Sequence, residues 1–300
     1  MSSSFTLFWR QKKALAGLVI ILSLCLMALF APLIAPGDPS ERVGRSHQAP
    51  TVEHYFGTTK MGRDVYSQFV WGARPSLAVG FATGLAITVL GTVVGLVAGY
   101  FGGRTDATLD LLTNAVLVIP NIPLLILLAS FAGTVGPWAI MAIIALTSWP
   151  WGARMTRSQT LALRNREFVV AARMVGEPAW RIIFVEILPN LAPLIGINIV
   201  GSIIYAIVAQ TTLEYLGFGD PLSVTWGTML YNAQNSSAII LRAWWDIGAP
   251  AAGIALTGLG LALINFTFDE IANPQLRSGP ALSRWLRLNR LRRRELGAAR

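Results

Sequence analysis

The uncharged run PSLAVGFATGLAITVLGTVVGLVAGYFGG (residues 75–103) decides how this chain must fold. It contains no Asp, Glu, Lys or Arg, and about 20 apolar residues in a helix are enough to cross roughly 30 Å of hydrocarbon. Four further windows are equally free of charge: residues 14–37, 111–153, 187–213 and 247–268. Because these runs are continuous and do not alternate between apolar and polar residues, they predict helices and not strands.

The composition and the longest window complete the fold prediction. Only 13% of the 300 residues are charged and 54% are hydrophobic, whereas soluble domains average about 25% charged residues. Residues 111–153 are long enough for two spans, and GTVGPW (residues 133–138) predicts a tight turn between them. The chain is therefore predicted to be an all-α integral membrane protein with six transmembrane helices. The first run exceeds the apolar region of most signal peptides, so an uncleaved anchor is favoured over a cleaved signal.

Lys and Arg in the flanks predict the orientation. Arg10, Lys12 and Lys13 precede the first window, which predicts a cytoplasmic N-terminus, and six spans return the C-terminus to the same side. The loop between spans four and five and the C-terminal tail are both rich in arginine, as the positive-inside rule expects. The net charge of +9 is interpreted as a topology signal and attraction to lipid headgroups. Nucleic-acid binding is not predicted, because a binding module with stacking aromatic residues is lacking.

Small residues mark the second window as a packing helix. Its glycines form small-xxx-small pairs on one stripe, which lets another backbone approach closely. The stripe consists of Gly80, Gly84, Gly91, Gly95 and Gly99. Packing within the chain is favoured, and contact with a partner subunit is the alternative.

The sequence shows no energy source of its own. It has no G-x-x-x-x-G-K-[ST] loop, so ATP binding by that mechanism is not expected. The uncharged windows hold no ionisable residue of the kind that proton-coupled pumps use. The single cysteine, Cys25, is predicted to be a buried apolar residue, and His47 and His54 lack a convincing set of further metal ligands. We therefore predict no metal, no bound cofactor and no catalytic residues, and a chain that either borrows its energy or acts passively.

A charged stretch between spans four and five suggests that energy is borrowed. EFVVAARMVGEPAWRIIFVEILPN (residues 167–190) predicts a short helix with Asn165 as cap and Gly176 as stop. A second helix is predicted to restart at Pro178 and end before Pro189. The first helix is expected to expose small and apolar side chains to a groove on another protein: Phe168, Val169, Ala171, Ala172 and Met174. An amphipathic helix lying on the membrane surface is the alternative reading of the same spacing.

This stretch resembles the cytoplasmic loop of ABC-importer permeases, E-A-A-x-x-x-G-(x9)-[I/H]-x-L-P. Here Val170 replaces the Glu and Glu186 replaces the usual Ile or His, while the spacing matches throughout. Four further segments are similar to dipeptide, oligopeptide and nickel-type permeases: YFGTTKMGRDVYSQFVWGARPSLAVG (55–80, with Thr59 in place of Asp), AGYFGGRTD (98–106), LEYLGFGDPLSVTWGTML (213–230) and FDEIANPQLR (268–277). Their order and extent identify the chain as a member of that family.

The resemblance implies a type I importer permease that works with a second homologous permease, two cytoplasmic ATPase subunits and an extracytoplasmic solute-binding protein. ATP and Mg would bind to the ATPase subunits and not to this chain. A coupling helix would enter a groove of one ATPase subunit, with these residues contributing: Phe168, Val169, Val170, Ala171, Ala172, Arg173, Met174 and Gly176. Pro178 and Pro189 would set the geometry of the loop, and the location would be the inner membrane.

An outer loop would face the binding protein through Gly217, Phe218, Gly219, Trp226 and Gly227. For the tryptophans near Trp244, anchoring at the membrane interface is favoured over substrate contact. Three regions follow: residues 1–73 with the first span and first outer loop, a five-helix permease core over 74–271, and a basic cytoplasmic tail over 272–300.

The substrate prediction is di- or oligopeptides, with nickel complexes, glutathione or oligosaccharides as alternatives of the same type. A passive channel and a membrane-embedded enzyme are the alternatives from other classes. Neither of them explains the helix–glycine–helix stretch.

Overall fold

The computed structural model describes residues 11–272, with side chains through residue 270, and this part of the chain contains no β-strand. Its elements are α1 Lys12–Leu29, α2 Ala31–Ile34, α3 Val65–Phe101, α4 Gly103–Val118, α5 Asn121–Ala132, α6 Pro137–Leu163, α7 Glu167–Met174, α8 Ala179–Arg181, a π-helix Ile182–Ile187, α9 Leu188–Tyr215, α10 Trp226–Asn235 and α11 Trp244–Ala272. The predicted all-α class is confirmed for these residues. Arg10 and the basic tail lie outside them.

Four helices are long and apolar enough to cross a membrane: Lys12–Leu29, Val65–Phe101, Ala179–Tyr215 and Trp244–Glu270. A fifth span results if α4 and α5, which meet at an angle of 86°, are counted together. α6 does not belong to this set, because its apolar first half gives way to Thr147, Ser148 and then Arg154. The structure thus shows four or five apolar spans, and the predicted count of six is not confirmed.

The central helix α3 starts ten residues before its uncharged run. Asp64 caps it by accepting a hydrogen bond from the Ser67 N–H at 2.7 Å, and the helix passes through Pro75 without ending. At about 1.5 Å per residue, 37 residues extend well beyond the hydrocarbon thickness. The predicted boundary at residues 73 and 74 therefore falls inside a continuous helix.

The glycine stripe of α3 packs against two helices of the same chain. A Cβ on Gly84 would lie 2.6 Å from the Ile203 backbone nitrogen in α9, and one on Gly95 would lie 2.6 Å from the Ala153 carbonyl oxygen in α6. Gly80 likewise faces α9, and Gly91 and Gly99 face α6. Close backbone approach at these points makes α3 the centre of the bundle.

The run from residue 103 to 132 is broken where a single straight span was expected. α4 ends at Val118, Ile119 is extended, and α5 restarts after Pro120. A residue before proline avoids helical geometry, which explains the break. The turn predicted at residues 133–138 is present over 133–136, where Gly133 takes a φ of +76°, and α6 already begins at Pro137.

The helix after α7 runs much further than the sequence predicted. It extends from Ala179 to Tyr215 as one candidate span, so the prediction that it ends before Pro189 is wrong. The π-helix just before this proline provides the reason, because the Leu188 N–H donates to the Ile183 carbonyl, five residues back. Wider π-turns relieve the crowding that a proline ring causes in an α-helix.

Two ends of the bundle can be distinguished. The loop end carries residues 36–64 together with α10, and the hairpin end carries residues 164–188. At the loop end the Trp245 Nε1–H donates to the Thr58 carbonyl at 3.2 Å, and the Gln68 Nε2–H donates to the Pro39 carbonyl at 3.1 Å. These bonds fix the first long loop onto the tops of α3 and α11.

Candidate functional site

The hairpin segment (residues 165–188) has the predicted helix–glycine–helix geometry. α7 covers Glu167–Met174, and Gly176 has a φ of +84°. The Gly176 N–H donates to the Arg173 carbonyl and the Glu177 N–H to the Ala172 carbonyl, at 3.0 and 3.1 Å. Glycine stops the helix because it alone adopts this left-handed conformation without strain. The start differs from the prediction: Arg166 and not Asn165 occupies the N-cap position, without a side-chain bond.

One side of α7 is buried against the bundle. Val169 is completely buried in a cluster with Leu96 of α3 and with Ile182 and Ile187 of the following helix, and Ala172 packs on the edge of this cluster. The prediction that Val169 is exposed is wrong, since an eight-residue helix needs an apolar contact to hold its position. Val170 is half-buried beside it.

The opposite side of α7 is exposed and largely apolar. Phe168 and Ala171 are exposed, and Met174 and Val175 each show 82% of their surface. Positions three, four and seven apart share one face of a helix. This exposed face (Phe168, Ala171, Met174 and Val175) is therefore continuous, and it points away from the buried Val169.

Arginines connect the helix ends around the hairpin segment. The Arg164 Nη1–H donates to the Gly99 carbonyl at 3.2 Å, and the Arg173 guanidinium lies 4.9 Å from the centre of the Tyr100 ring. Arg157 in α6 donates twice to Asp106 in α4, at 2.5 and 2.8 Å. Sequence reasoning missed these bonds, because charge counting treated the arginines only as a topology signal.

Pro178 begins the second half of the hairpin segment. It is the exposed N-cap residue of α8, where its missing N–H costs no helical bond. Pro189 lies inside the continuous helix and is also exposed. The two prolines thus differ in what they do to the backbone.

At the loop end, a buried carboxylate organises residues 214–228. Glu214, in the last turn of α9, is 2% exposed; it accepts hydrogen bonds from the Thr225 hydroxyl at 2.6 Å and from the Gln210 amide at 2.9 Å. Thr225 in turn caps α10 in a reciprocal pair with Thr228. Glu214 lies one residue beyond the uncharged window, and the sequence therefore did not predict that it is buried. We call Glu214, Gln210, Thr225 and Thr228 the loop-end network.

The five residues predicted to face a binding protein divide into two groups. Gly217, with a φ of +92°, and Phe218 are half-buried, and Gly219 is buried beside Glu214. Trp226 is completely buried, stacks on Phe69 with ring centres 5.7 Å apart, and donates its Nε1–H to the Phe69 carbonyl at 3.0 Å.

Gly227 is also buried, and a Cβ there would lie 2.3 Å from a Glu214 carboxylate oxygen. Trp226 and Gly227 therefore cannot contact a soluble partner directly, and this part of the prediction is corrected. In the signature WG, Trp226 packs α10 against α3, and Gly227 packs it against Glu214 in α9.

Each of the two histidines lies beside a different carboxylate. His54 Nδ1 is 3.1 Å from Asp64, and His47 Nδ1 is 4.0 Å from Asp246. Burial of the imidazole, together with the nearby charge of Lys60, lowers the pKa of His47. Over the described residues, no group of three or more His, Cys, Asp or Glu side chains is placed to hold a metal ion. That the chain binds no metal or cofactor remains a prediction.

Several apolar helices, a short helix with an exposed apolar face at one end and a hydrogen-bonded loop at the other define a helical membrane protein. The family model described as "Binding-protein-dependent transport system inner membrane component" matches residues 91–278. A second model, described as "N-terminal TM domain of oligopeptide transport permease C", matches residues 3–50. The chain belongs to the family of binding-protein-dependent transport system inner membrane components.

Curated relatives match over nearly the whole chain. The dipeptide transport system permease protein DppC of Alkalihalophilus pseudofirmus is 36% identical, over 90% of this chain and 88% of the relative. The di/tripeptide transport system permease protein DppC of Pseudomonas aeruginosa is 33% identical, over 90% and 92%. The oligopeptide transport system permease protein OppC of Bacillus subtilis is 30% identical, over 90% and 88%.

Proposed function

We propose that this chain is the transmembrane permease subunit of an ATP-driven, binding-protein-dependent importer of di- or oligopeptides. The observation that carries the proposal is the exposed face of α7 (Phe168, Ala171, Met174 and Val175) opposite a buried anchor at Val169. An apolar helical face of this kind suits a groove on another protein. Curated relatives of dipeptide and oligopeptide transport systems support the substrate class.

The proposed assembly contains this chain, a second homologous permease, two cytoplasmic ATPase subunits and an extracytoplasmic binding protein. α7 is the coupling helix, and it enters a groove of one ATPase subunit, where ATP and Mg bind. The hairpin end is then cytoplasmic, as are both termini, and the loop end faces outward. In this arrangement α4 with α5 forms one span and α6 forms another, which gives a type I permease with six spans.

The continuous helix from Ala179 to Tyr215 supports a lever mechanism. Movement of α7 passes to this helix through the contact of Val169 with Ile182 and Ile187. The helix is 37 residues long, which corresponds to about 55 Å at 1.5 Å per residue. Its far end holds Glu214 and the loop-end network, so closure of the ATPase pair at one end moves the loop end as a unit.

The outward surface of the loop end is proposed to receive the binding protein. Around the half-buried Gly217 and Phe218, the exposed residues are Tyr215, Leu216 and Leu222. Trp226 and Gly227 support this surface from beneath and do not form part of it.

The decisive experiment compares two substitutions in the intact importer, purified through a tag on this chain and reconstituted in vesicles. Ala171→Arg places a charge in the centre of the exposed face, and ATP-driven peptide uptake is expected to fall at least about tenfold. Ala162→Arg, on an exposed position of α6, is the matched control and should retain uptake within about twofold. Both variants should reach the membrane in normal amounts.

Equal uptake by both variants would contradict the docking role of α7. Uptake that proceeds without ATP would instead support a passive channel. The same vesicles supplied with nickel complexes, glutathione or oligosaccharides decide whether peptides are the substrate class.

A further inference from the structure

A chamber of about 610 Å³ lies at the middle depth of the bundle. It is enclosed by parts of α3, α4, α5, α6, α9 and α11, and this volume falls within the range of sites that hold small organic ligands. The break between α4 and α5 opens directly onto it, since Ile119, Pro120 and Asn121 all line it. Irregular backbone at membrane depth is tolerated where it lines a cavity, which accounts for the break.

The chamber wall is mainly apolar and carries no charge. None of its nineteen lining residues is Asp, Glu, Lys, Arg or His. Hydroxyl and amide groups are distributed among the apolar residues, notably Ser148 in α6, Asn198 and Ser202 in α9, and Asn265 in α11. A wall of this kind offers donors and acceptors without favouring either sign of charge.

Some of these polar groups already have hydrogen-bond partners and others do not. Thr88 and Thr147 donate to carbonyls of their own helices, and Tyr205 of α9 donates to Asn121 at the start of α5. Asn265 keeps a buried Oδ1 without a hydrogen-bond partner among the described residues. Buried amide groups are normally satisfied, so this oxygen is available to accept a hydrogen bond from a polar molecule in the chamber, water included.

One side of the chamber is open. Trp151, Met155 and Ile119 line it and are 65%, 41% and 46% exposed. In the proposed assembly, the second permease closes this side, so this chain supplies half of an enclosed site.

We infer that the chamber is this subunit's half of the solute pathway and that Asn198 and Ser202 bind the backbone amides of the passing peptide. The inference rests on the proposed function and adds a substrate contact to it. Every peptide carries backbone N–H and C=O groups, whereas its side chains differ in charge. A neutral wall with a few amide and hydroxyl groups therefore accepts acidic, basic and neutral peptides alike.

The test introduces a charge and controls separately for the shape of the side chain. Asn198→Asp is isosteric with the native side chain, and Ser202→Asp has the neutral control Ser202→Asn. Uptake is measured for two tripeptides that differ only in a central glutamate or lysine, with the same binding protein throughout. Since that protein's preference cancels in the comparison between variants, the change in the uptake ratio reports on the pathway alone. The assay is run at about pH 8 so that the new carboxyl group is ionised.

The aspartate variants are expected to shift the uptake ratio toward the lysine peptide by about tenfold or more, because like charges a few ångströms apart repel in a low-dielectric site. The neutral control Ser202→Asn should leave the uptake ratio of the two peptides unchanged. An unchanged ratio in both aspartate variants, with ATP-driven uptake intact, overturns the pathway assignment while the proposed function stands. Failure of the native chain to support ATP-driven uptake overturns the function itself.

A second measurement covers the case in which the charged variants do not assemble. In a Cys25→Ala background, Ser202→Cys should react with a charged thiol reagent, and a transported peptide should slow the reaction at least about threefold. Leu213→Cys, which replaces a side chain that is 1% exposed, is the unreactive control. A Ser202→Cys protein that does not react, or that reacts at the same rate with peptide present, contradicts the inference.

Discussion

The two ends of the bundle are held by opposite kinds of contact. At the hairpin end, α7 is positioned by the apolar contact of Val169 with Ile182 and Ile187, and it leaves a second apolar face uncovered. At the loop end, the segment 217–227 is positioned by the hydrogen bond from Thr225 to the buried Glu214, which Gln210 of the same helix also contacts. Apolar contacts tolerate small shifts of position, whereas a buried polar network requires definite distances. The hairpin end can therefore follow a moving partner while the loop end keeps its shape.

The largest effect on stability is expected where the loop-end network is broken. Glu214→Ala leaves Thr225 and Gln210 without their partner in a buried site and should lower the free energy of unfolding by about 3 kcal/mol. The thermal unfolding midpoint of the subunit in nanodiscs measures this loss. Glu214→Gln keeps an acceptor and the side-chain volume, so most of the stability should return. An alanine variant as stable as the native chain would show that the loop is held by its apolar contacts.

A smaller effect is expected at the buried anchor of α7. Val169→Ala removes two buried methyl groups and should lower the free energy of unfolding by about 1–2 kcal/mol. Met174→Ala, on the exposed face, should leave the unfolding midpoint unchanged and instead reduce peptide-stimulated ATP hydrolysis. Unfolding in nanodiscs and ATPase assays of the assembled importer separate the two outcomes. If both variants changed stability alone, α7 would be a structural element and not a coupling helix.

The smallest effect is expected at the ion pair that joins α4 to α6. Asp106→Asn removes the negative charge that accepts two hydrogen bonds from Arg157. The Arg157 side chain is 27% exposed, so the substitution should lower the free energy of unfolding by about 1 kcal/mol. Lys13→Gln at the pair with Glu270 is the control, since Lys13 is 61% exposed and such pairs contribute roughly 0–1 kcal/mol. A larger loss for Lys13→Gln would reverse the expected order.

Much of the fold followed from the sequence, because charge-free runs and glycine signals act locally. The turn in residues 133–138 and the stop at Gly176 were predicted from single residues with special backbone preferences. The break at Pro120 carried the same kind of signal, but the apolar window around it concealed its effect. The true start of α3 was also marked, by Asp64 as a capping residue.

The burial pattern could not be predicted in the same way. Trp226 is buried because Phe69 and Ser76, about 150 residues earlier in the chain, lie beside it. Glu214 has no local pattern that distinguishes it from a surface glutamate. Val169 and Met174 are both apolar residues of one short helix, and only the position of the neighbouring helix decides which of them is covered.

The π-helix at Ile182–Ile187 has a consequence for how this type of chain can vary. Its wider turns hold about one residue more than an α-helix does over the same rotation, so the extra residue is absorbed locally. Deleting one residue there would give ordinary α-helical winding with little change in the direction of α7, whereas the same deletion in a purely α-helical stretch would rotate the two parts by about 100°. The π-helix is thus a point at which the chain length can change by one residue without redirecting the exposed face of α7.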